Sequence, residues 1–416
     1  MFSKKGNMNT LDKKLIIILE AVSEYYYYNL YMISSLDDMR VDYQLWLYCN
    51  DKNSLVESDK YKVNDNEILS ISEIEKRLDE IDERKTIIIT SVCCGISKGA
   101  IALYRAISGR NIMYGAFSHV PYVEVSIGKS EKEYVGATHF KLSVLNIIYD
   151  FTHMRCKNDV TRLICNIMGH IPRLFGIKPL DFIIYGGTKS GELYLHFPVN
   201  SSTKKIFAHC NDTEKYLLDS SEMKEEICTF LDTNLFFGID VPDRIKEDMM
   251  RNSNSYSNTF CRFFDSIENI TGKPVVIAAH PRINNEQMEL LKKIYGNRQI
   301  CIGNTLELVK KSKFVFATIT SAVKYAVLAK KEVFIIRSKE LKRYEEFNLI
   351  IGQIAQLLGT EVVDIDNNTN DKVTYDEYIN KIITKKIDAN HFEEQYCRKN
   401  TDDNRLFWQI VISELG

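Results

Sequence analysis

The sequence predicts a two-domain α/β protein built on doubly wound parallel sheets. Short apolar runs alternate along the chain with amphipathic segments of helical length, which is the pattern of βαβ units. Many of these runs stop abruptly at small or polar residues, as strands do at the carboxyl edge of an open sheet. At 416 residues the chain is too long for one ordinary core, so two domains are expected.

The first half contains six predicted strands and their connecting helices. Continuous apolar runs such as T-I-I-I-T-S-V at 86–92 indicate strands that are buried on both faces. The predicted strands are 14–19, 43–49, 86–92, 111–117, 179–185 and 205–209. The predicted helices are 22–35, 71–83, a segment ending at Ala106, 142–152 and 160–168.

The second half repeats the alternation after a polar stretch at 218–226, where we place the domain boundary. The predicted strands are 227–231, 275–279, 299–302, 314–317 and 333–336, and the predicted helices are 258–271, 286–295, 305–311 and 322–329. The predicted domains are therefore 1–220 and 221–374. An amphipathic helical tail, 375–416, is expected to pack back on the N-terminal domain.

Charge and composition exclude several classes of protein. The net charge of −2 lacks the basic excess of a nucleic-acid binder. Apolar runs such as 15–19 are far shorter than the roughly 20 residues that span a bilayer, and the N-terminus has no apolar signal core. We expect a cytoplasmic protein, with basic segments 339–343 and 381–386 allowing peripheral contact with the inner face of the membrane. Ten cysteines without a C-x-x-C pair indicate buried, reduced thiols.

Polar side chains follow three predicted strands of the second domain. They are His280, Pro281 and Arg282 after 275–279, Asn304 and Thr305 after 299–302, and Thr318, Thr320 and Ser321 after 314–317. Ligands of open α/β sheets bind at the carboxyl ends of strands, and helix N-termini attract anions. The pattern predicts a phosphate site lined by an imidazole, a guanidinium and hydroxyls. Helix capping is the alternative role for the hydroxyls.

Two carboxylates are candidate general bases. Asp232 ends the strand 227–231, and Asp212 follows the strand 205–209. Either could deprotonate an acceptor hydroxyl, and for both the alternative is a helix or loop cap. The D-I-D at 364–366 imitates a metal-binding D-x-D, but its polar surroundings favour a solvated turn. No cluster in the sequence has the ligand spacing of a zinc site, so no metal is expected.

The polar strand ends belong to four longer motifs. They are F-L-D at 230–232, A-A-H-P-R at 278–282, G-N-T-L-E-L-V at 303–309 and A-T-I-T-S-A-V-K-Y-A-V-L at 317–328. Their order resembles bacterial surface-polysaccharide glycosyltransferases, which build capsule and the O-antigen of lipopolysaccharide. The His-Pro and Ser/Thr motifs are also similar to those of GT-B bacterial sialyltransferases and polysialyltransferases. The resemblance implies a GT-B fold, with two Rossmann-like domains whose parallel sheets face a central cleft.

The same resemblance implies an activity. The N-terminal domain would bind an acceptor and the C-terminal domain a nucleotide-sugar donor. His280, Thr320 and Ser321 would hold the phosphate of CMP, with Asp232 or Asp212 as the base. The implied reaction is an inverting, metal-independent transfer of a CMP-activated nonulosonic acid, a sialic-acid-like sugar, to a polysaccharide or lipid-linked glycan. The donor is a substrate, and no separate cofactor is expected.

Other activities fit the same motifs. A sugar-nucleotide 2-epimerase or a CDP-linked phosphotransferase could use this fold, and fold alone does not choose among them. A non-catalytic, polysaccharide-binding subunit is a third possibility. An epimerase would turn over a nucleotide sugar without an acceptor, whereas a polysaccharide-binding subunit would bind no nucleotide.

Overall fold

The chain forms two parallel sheets, one of seven strands and one of six. The computed structural model describes residues 11–20, 31–49, 68–92, 98–118, 172–189, 197–238, 241–366, 374–385 and 390–416. Neighbouring strands are parallel throughout these residues. The predicted class, two Rossmann-like α/β units, is confirmed. The predicted helices 142–152 and 160–168, and most of 22–35, lie outside the described residues.

The seven-stranded sheet has the order β3-β2-β1-β4-β5-β6-β7. Its strands are β1 Lys14–Glu20, β2 Tyr43–Tyr48, β3 Ile68–Leu69, β4 Thr86–Thr90, β5 Met113–Phe117, β6 Phe182–Tyr185 and β7 Lys204–Phe207, and its helices include α1 Ser34–Asp38, α2 Ile71–Asp79 and α3 Lys98–Ser108. Alternate side chains of β1 belong to separate clusters, with Ile16 and Ile18 in one and Leu15 and Ile17 in the other. Burial on both faces explains why this strand is continuously apolar.

The six-stranded sheet has the order β10-β9-β8-β11-β12-β13. Its strands are β8 Ile227–Leu231, β9 Val275–Ala279, β10 Ile300–Ile302, β11 Ser312–Ala317, β12 Glu332–Arg337 and β13 Val362–Asp364. The remaining helices are α4 Asn211–Leu218, α5 Asp243–Arg251, α6 Ser253–Thr271, α7 Asn285–Ile294, α8 Thr305–Lys310, α9 Val323–Leu328, α10 Lys339–Lys342, α11 Glu345–Leu357, α12 Tyr375–Ile383, α13 Asn390–Phe392 and α14 Phe407–Leu415.

The C-terminal helix α14 packs in the core of the first unit. Phe407 and Trp408 are fully buried in the same cluster as Leu15 and Ile17 of β1. The indole Nε1 of Trp408 donates a hydrogen bond to the carbonyl oxygen of Tyr31 at 2.9 Å. The predicted return of the C-terminal helix to the N-terminal domain is therefore confirmed.

The chain separates into two compact units close to the predicted domain boundary. Asp402–Gly416 belongs to the first unit, whereas Asp212–Thr401 belongs to the second. The change of unit thus falls within α4, before the polar stretch where the sequence placed it. Of the predicted tail 375–416, the helices α12 and α13 belong to the second unit.

An aromatic cluster fills one side of the second sheet. The ring of Phe230 on β8 lies 5.4 Å, centroid to centroid, from both Phe260 and Phe264 on α6. Tyr295, just after α7, lies 5.7 Å from Phe230 in an edge-to-face arrangement. Tilted and edge-to-face pairs are the favoured geometries of aromatic rings. This packing fixes the carboxyl end of β8 against two helices.

Several elements differ from the sequence-based expectation. Helix α6 begins at Ser253, five residues before the predicted start, and the short strands β3 and β13 were not predicted. The predicted turn at 364–366 is shorter in the structure: Asp364 is the last residue of β13 and pairs with Arg337 of β12, and the turn covers residues 365 and 366. Arg337 and Lys342 pair with the carboxylate of Asp364 and offset the cost of placing its charge in a sheet.

Two smaller findings bear on the expected environment of the protein. In the described parts of the chain, no helix combines the length and the apolar character needed to span a bilayer. Cys49, Cys210, Cys228 and Cys397 are buried. Burial raises the pKa of the Cys228 thiol, which keeps it protonated and unreactive.

Candidate functional site

The strand order of the second sheet reverses between β8 and β11. From β8 the chain continues to β9 and β10 on one side, and from β11 it continues to β12 and β13 on the other. The connections that leave the carboxyl ends of β8 and β11 therefore diverge. In open α/β sheets ligands bind in the crevice at such a point. Residues 232–234, 280–284 and 318–322, which follow β8, β9 and β11, are called the switch-point site below.

Asp232 follows β8 directly and is buried, with 7% of its surface exposed. Its backbone N–H donates to the carbonyl of Ala278 on β9 at 3.0 Å. Its Oδ1 accepts from the Tyr295 hydroxyl at 2.7 Å, and its Oδ2 accepts from the backbone N–H of Asn234 at 3.3 Å. Burial raises the pKa of Asp232, although these hydrogen bonds oppose the rise. The carboxylate therefore contacts protein groups on both oxygens, and its role as a base stays a prediction.

Two tyrosines of the aromatic cluster are almost completely buried. Tyr295 donates its hydroxyl proton to Asp232, and the ring of Tyr256 stacks on Phe260 at 4.1 Å, centroid to centroid. Burial, followed by the charge of Asp232, raises the pKa of both tyrosines well above its ordinary value. No sequence pattern indicated the contact of Tyr295 with Asp232, since the two residues lie 63 positions apart and Tyr295 is only the last residue of a predicted helix.

His280 follows β9 and is partly exposed. Its Nδ1 accepts a hydrogen bond from the backbone N–H of Arg282 at 3.2 Å. In this tautomer the neutral imidazole carries its proton on Nε2, which is then a donor. The backbone N–H of Asp232 donates to the carbonyl of Ala278, so the carboxyl ends of β8 and β9 are joined just before their two loops begin.

The turn that carries His280 is anchored on its far side. Pro281 and Arg282 are exposed, whereas Ile283 is buried and donates its N–H to the carbonyl of His280 at 3.1 Å. Asn284 then caps α7 with its side chain in a capping box. The turn thus carries the imidazole of His280 and the guanidinium of Arg282 between the end of β9 and the capped start of α7.

The loop after β11 meets the loop after β8 through a pair of threonines. Thr318 is fully buried, and its hydroxyl oxygen lies 2.5 Å from that of Thr233. Thr320 and Ser321 are partly exposed, and Thr320 Oγ1 accepts from the N–H of Ala322 at 3.2 Å. The Thr318 hydroxyl therefore bridges two loops. Thr320 makes a local contact to the backbone two residues on, and α9 has no side-chain cap.

Asn304 and Thr305 lie elsewhere on the same edge. They follow the edge strand β10, and β9 and β8 stand between β10 and β11. With strands about 4.8 Å apart, this places them roughly 14 Å from the end of β11. The sheet does not bring them together with Thr318, Thr320 and Ser321. They neighbour only the β9 side of the switch-point site.

Asp212 lies in the first turn of α4 and faces a buried lysine. Its Oδ2 is 3.8 Å from Nζ of Lys324 on α9, whose side chain is fully buried. A buried ammonium group needs a partner, because desolvation of an unpaired charge is costly. Asp212 provides that partner and retains 20% exposure of its side chain. Lys324 was not among the residues singled out in the sequence.

The acidic pair at Asp364 and Asp366 is engaged by cations of the protein. Arg337 donates to Asp364 at 2.8 Å, and Nζ of Lys342 lies within 4 Å of both carboxylates. Burial alone would raise the pKa of Asp364, but Arg337 and Lys342 outweigh it and hold the pKa below its usual value. Across the residues with described positions, no group of three or more His, Cys, Asp or Glu side chains is arranged to hold a metal ion.

No protein-family model matches the sequence, and no curated protein matches it. The chain is similar to three solved structures of different activities. One is an alpha/beta-galactoside alpha-2,3-sialyltransferase from Photobacterium phosphoreum. It is 12% identical, over 85% of this chain and 99% of that chain, with a TM-score of 0.41. A putative UDP-N-acetylglucosamine 2-epimerase from Listeria monocytogenes is 10% identical, over 97% of this chain and 94% of that chain, with a TM-score of 0.45. The wall teichoic acid polymerase TagF is 10% identical, over 98% of this chain and 89% of that chain, with a TM-score of 0.44.

Proposed function

We propose that the chain is a GT-B glycosyltransferase that transfers a sugar from a nucleotide donor to a surface-polysaccharide or lipid-linked glycan. The observation that carries the proposal is the switch-point site. Its β9 loop presents the Nε2 donor of His280 and the exposed Arg282, and its β11 loop presents Thr320 and Ser321. Donor groups of this kind suit the oxygens of a phosphate.

The chemistry of transfer to an acceptor hydroxyl explains why these donors suffice. The bond from the anomeric carbon to the phosphate oxygen breaks, and the nucleotide leaves with added negative charge. Fixed hydrogen-bond donors aimed at developing charge lower the barrier. In the proposal, His280 and Arg282 stabilise the departing phosphate without a metal ion. A carboxylate takes the proton of the acceptor hydroxyl as the new glycosidic bond forms with inversion.

Asp212 is the more suitable of the two candidate bases. It is partly exposed, and its Oδ2 lies 3.8 Å from Nζ of Lys324. Asp232 is buried, and both of its oxygens accept hydrogen bonds from protein. We therefore place the base at Asp212. A CMP-activated nonulosonic acid is the proposed donor, on the strength of the His-Pro and Ser/Thr motifs in the sequence, and acceptor binding is assigned to the N-terminal domain.

A nucleotide screen tests the proposed donor. CMP, CDP, UDP and GDP are each added to the wild-type protein, and thermal unfolding is followed. Ligand that binds only the folded state at 100 times its Kd stabilises it by about 2.7 kcal/mol. We expect CMP to raise the unfolding temperature most. A preference for CDP would favour a phosphotransferase, and no shift with any nucleotide would favour a polysaccharide-binding subunit.

Substitution of His280 tests the catalytic role. We expect His280→Ala to lose transfer by at least about 10²–10³-fold, because one donor to the developing charge is removed. Its unfolding temperature should stay near the wild-type value, since His280 is partly exposed. His391→Ala is the matched control, because His391 is an exposed histidine of the same unit. Near wild-type turnover by His280→Ala would contradict the proposal. Turnover of the nucleotide sugar without any acceptor would instead indicate an epimerase.

A further inference from the structure

Thr233 lies at the centre of the switch-point site, although no sequence pattern indicated it. It follows β8, which has β9 as its neighbour on one side and β11 on the other. Leu231 pairs with Ala278 of β9 and with Ala317 of β11, so the three strands end at the same level. With strands about 4.8 Å apart, Thr233 lies roughly one strand spacing from His280 and one from the loop after β11.

The hydroxyl groups of Thr233 and Thr318 form a hydrogen bond whose direction follows from burial. Their oxygens are 2.5 Å apart, Thr318 is fully buried, and Thr233 is partly exposed. Among the described residues, Oγ1 of Thr318 has no other hydrogen-bond partner. If Thr233 donated, the hydroxyl proton of Thr318 would stay buried without an acceptor, which costs the desolvation of that group. Thr318 is therefore the donor and Thr233 the acceptor.

The hydroxyl of Thr233 consequently keeps its own proton for a second partner. A hydroxyl has one proton and two acceptor lone pairs, and the bond from Thr318 uses only a lone pair. Two linked hydrogen bonds of the same direction polarise and strengthen one another. The second partner of Thr233 must be an acceptor, and an ionised phosphate oxygen is a strong one.

A second hydroxyl pair joins β8 and β11 and has no proton left to donate. Oγ1 of Thr229 lies 2.6 Å from Oγ of Ser312, and both residues are fully buried. Ser312 donates to the carbonyl of Leu308 at 2.7 Å, so Thr229 is the donor within the pair. Both protons are used inside the protein. Thr229 therefore provides a matched control for Thr233, whose partly exposed hydroxyl follows the same strand.

Hydrogen bonds fix the backbone on both sides of Thr233. The N–H of Asp232 donates to the carbonyl of Ala278 at 3.0 Å, and the N–H of Asn234 donates to Oδ2 of Asp232 at 3.3 Å. The carbonyl of Asn234 accepts from the N–H of Gly238 at 2.7 Å. A donor that is held in place before a ligand arrives loses little conformational freedom when the ligand binds.

We propose that Thr233 donates a hydrogen bond to the phosphate of the nucleotide donor, and that Thr318 positions the Thr233 hydroxyl for this contact. The inference rests on the proposed function and adds a binding residue between His280 on one side and Ser321 on the other. Negative charge grows on the phosphate oxygens as the nucleotide leaves, and a fixed hydroxyl donor stabilises that charge.

The test compares the two threonines with the matched control. Thr233→Val removes the hydroxyl and keeps the shape, whereas Thr233→Ser keeps the hydroxyl. Thr318→Val removes the positioning hydroxyl, and Thr229→Val removes the control hydroxyl. Calorimetry measures the Kd of each variant for CMP and for cytidine, which lacks the phosphate.

We expect Thr233→Val to weaken CMP binding about tenfold to a hundredfold and to leave cytidine binding unchanged. This loss corresponds to about 1.4–2.8 kcal/mol, the range for a hydrogen bond to a charged group. Thr233→Ser and Thr229→Val should bind CMP as the wild type does. Thr318→Val should weaken CMP binding only about twofold, because Thr318 acts by polarising the Thr233 hydroxyl.

Thermal unfolding tests the direction of the hydroxyl pair without a ligand. Thr233→Val leaves the Thr318 proton buried without an acceptor, so its unfolding temperature should fall below that of the wild type. The double variant Thr233→Val/Thr318→Val removes both hydroxyls and should unfold at a higher temperature than Thr233→Val alone. A double variant that is no more stable than Thr233→Val would contradict Thr318 as the buried donor.

The binding data separate this inference from the proposed function. If the wild type bound CMP and Thr233→Val bound it equally well, the contact of Thr233 with the phosphate would be wrong and the proposed function would stand. Equal weakening of CMP and cytidine in Thr233→Val would also overturn the contact, because the loss would not depend on the phosphate. If the wild type bound no CMP, the proposed donor and the Thr233 contact would both be wrong.

Discussion

At the scale of single residues, burial controls the protonation of Asp232. Its carboxylate lies among aromatic rings and hydroxyls, where the ionised form loses hydration. The hydrogen bonds from Tyr295 and from backbone N–H groups recover part of that loss, and the pKa is still raised. The folded protein therefore holds this proton more tightly than the unfolded chain does. A dependence of stability on pH follows.

We expect the free energy of unfolding to fall as the pH rises from about 3.8 through the raised pKa of Asp232. In that window the folded state binds more protons than the unfolded state, so stability decreases with pH. Urea unfolding of the wild type and of Asp232→Asn between pH 4 and pH 8 isolates the contribution.

Asp243, in the same unit, should contribute to stability with the opposite dependence on pH. Asp243 is exposed and paired with Lys246, which lowers its pKa. Its contribution to stability is therefore present at neutral pH and is lost as the pH falls. If the difference between wild type and Asp232→Asn did not change with pH, or if the wild type gained relative stability as the pH rose, the protonation argument would be wrong.

The sequence predicted the positions of site residues better than their partners. His280, Thr320 and Ser321 could be placed at strand ends because an apolar run that stops at polar residues marks the edge of a sheet. Their roles are still predictions. The contacts of Asp232 with Tyr295 and of Thr318 with Thr233 join residues 63 and 85 positions apart. Such contacts depend on how helices pack on the sheet, and no local pattern encodes that packing.

At the scale of elements, helix α14 completes the core of the first unit. The ring of Trp408 lies 5.9 Å from Phe117 of β5 and 5.4 Å from Phe407, edge to face in both cases. Its N–H has a buried partner in the carbonyl of Tyr31. A helix that supplies two fully buried aromatic side chains to a sheet is part of the core, not an appendage.

We expect Trp408→Ala to lower the free energy of unfolding by about 3–5 kcal/mol, the cost of removing a large buried ring. Thermal and urea unfolding followed by circular dichroism measure the change. Leu349→Ala is the control, because Leu349 is a 40% exposed apolar residue on α11. A loss under about 1 kcal/mol in Trp408→Ala would contradict the place of α14 in the core.

Element length decides which elements the sequence could predict. Strand β9, V-V-I-A-A, is fully buried and matches its predicted limits, because a continuous apolar run leaves no other assignment. Strands β3 and β13 have two and three residues, too few to show any periodicity. The tail was predicted as amphipathic helix over 375–416, and it contains the separate helices α12, α13 and α14, which belong to different units.

At the scale of the whole molecule, the first six strands of each sheet have the same spatial order. The orders β3-β2-β1-β4-β5-β6 and β10-β9-β8-β11-β12-β13 are the same pattern of two βαβαβ halves, and the first sheet adds β7 at its edge. Each unit therefore has its own switch point, between β1 and β4 in the first and between β8 and β11 in the second. Alternating strands and helices predicted this class, whereas the strand order required the structure.

The placement of the two tryptophans gives the first unit an optical signal of its own. The chain has only Trp46, on β2, and Trp408, on α14, and both belong to the first unit. Both are buried, so their emission will change when that unit opens to water. The second unit is silent in tryptophan emission, so near-ultraviolet dichroism, to which the packed aromatic residues of both units contribute, is recorded as well. Recording the two signals during one denaturation shows whether the halves melt together or in sequence.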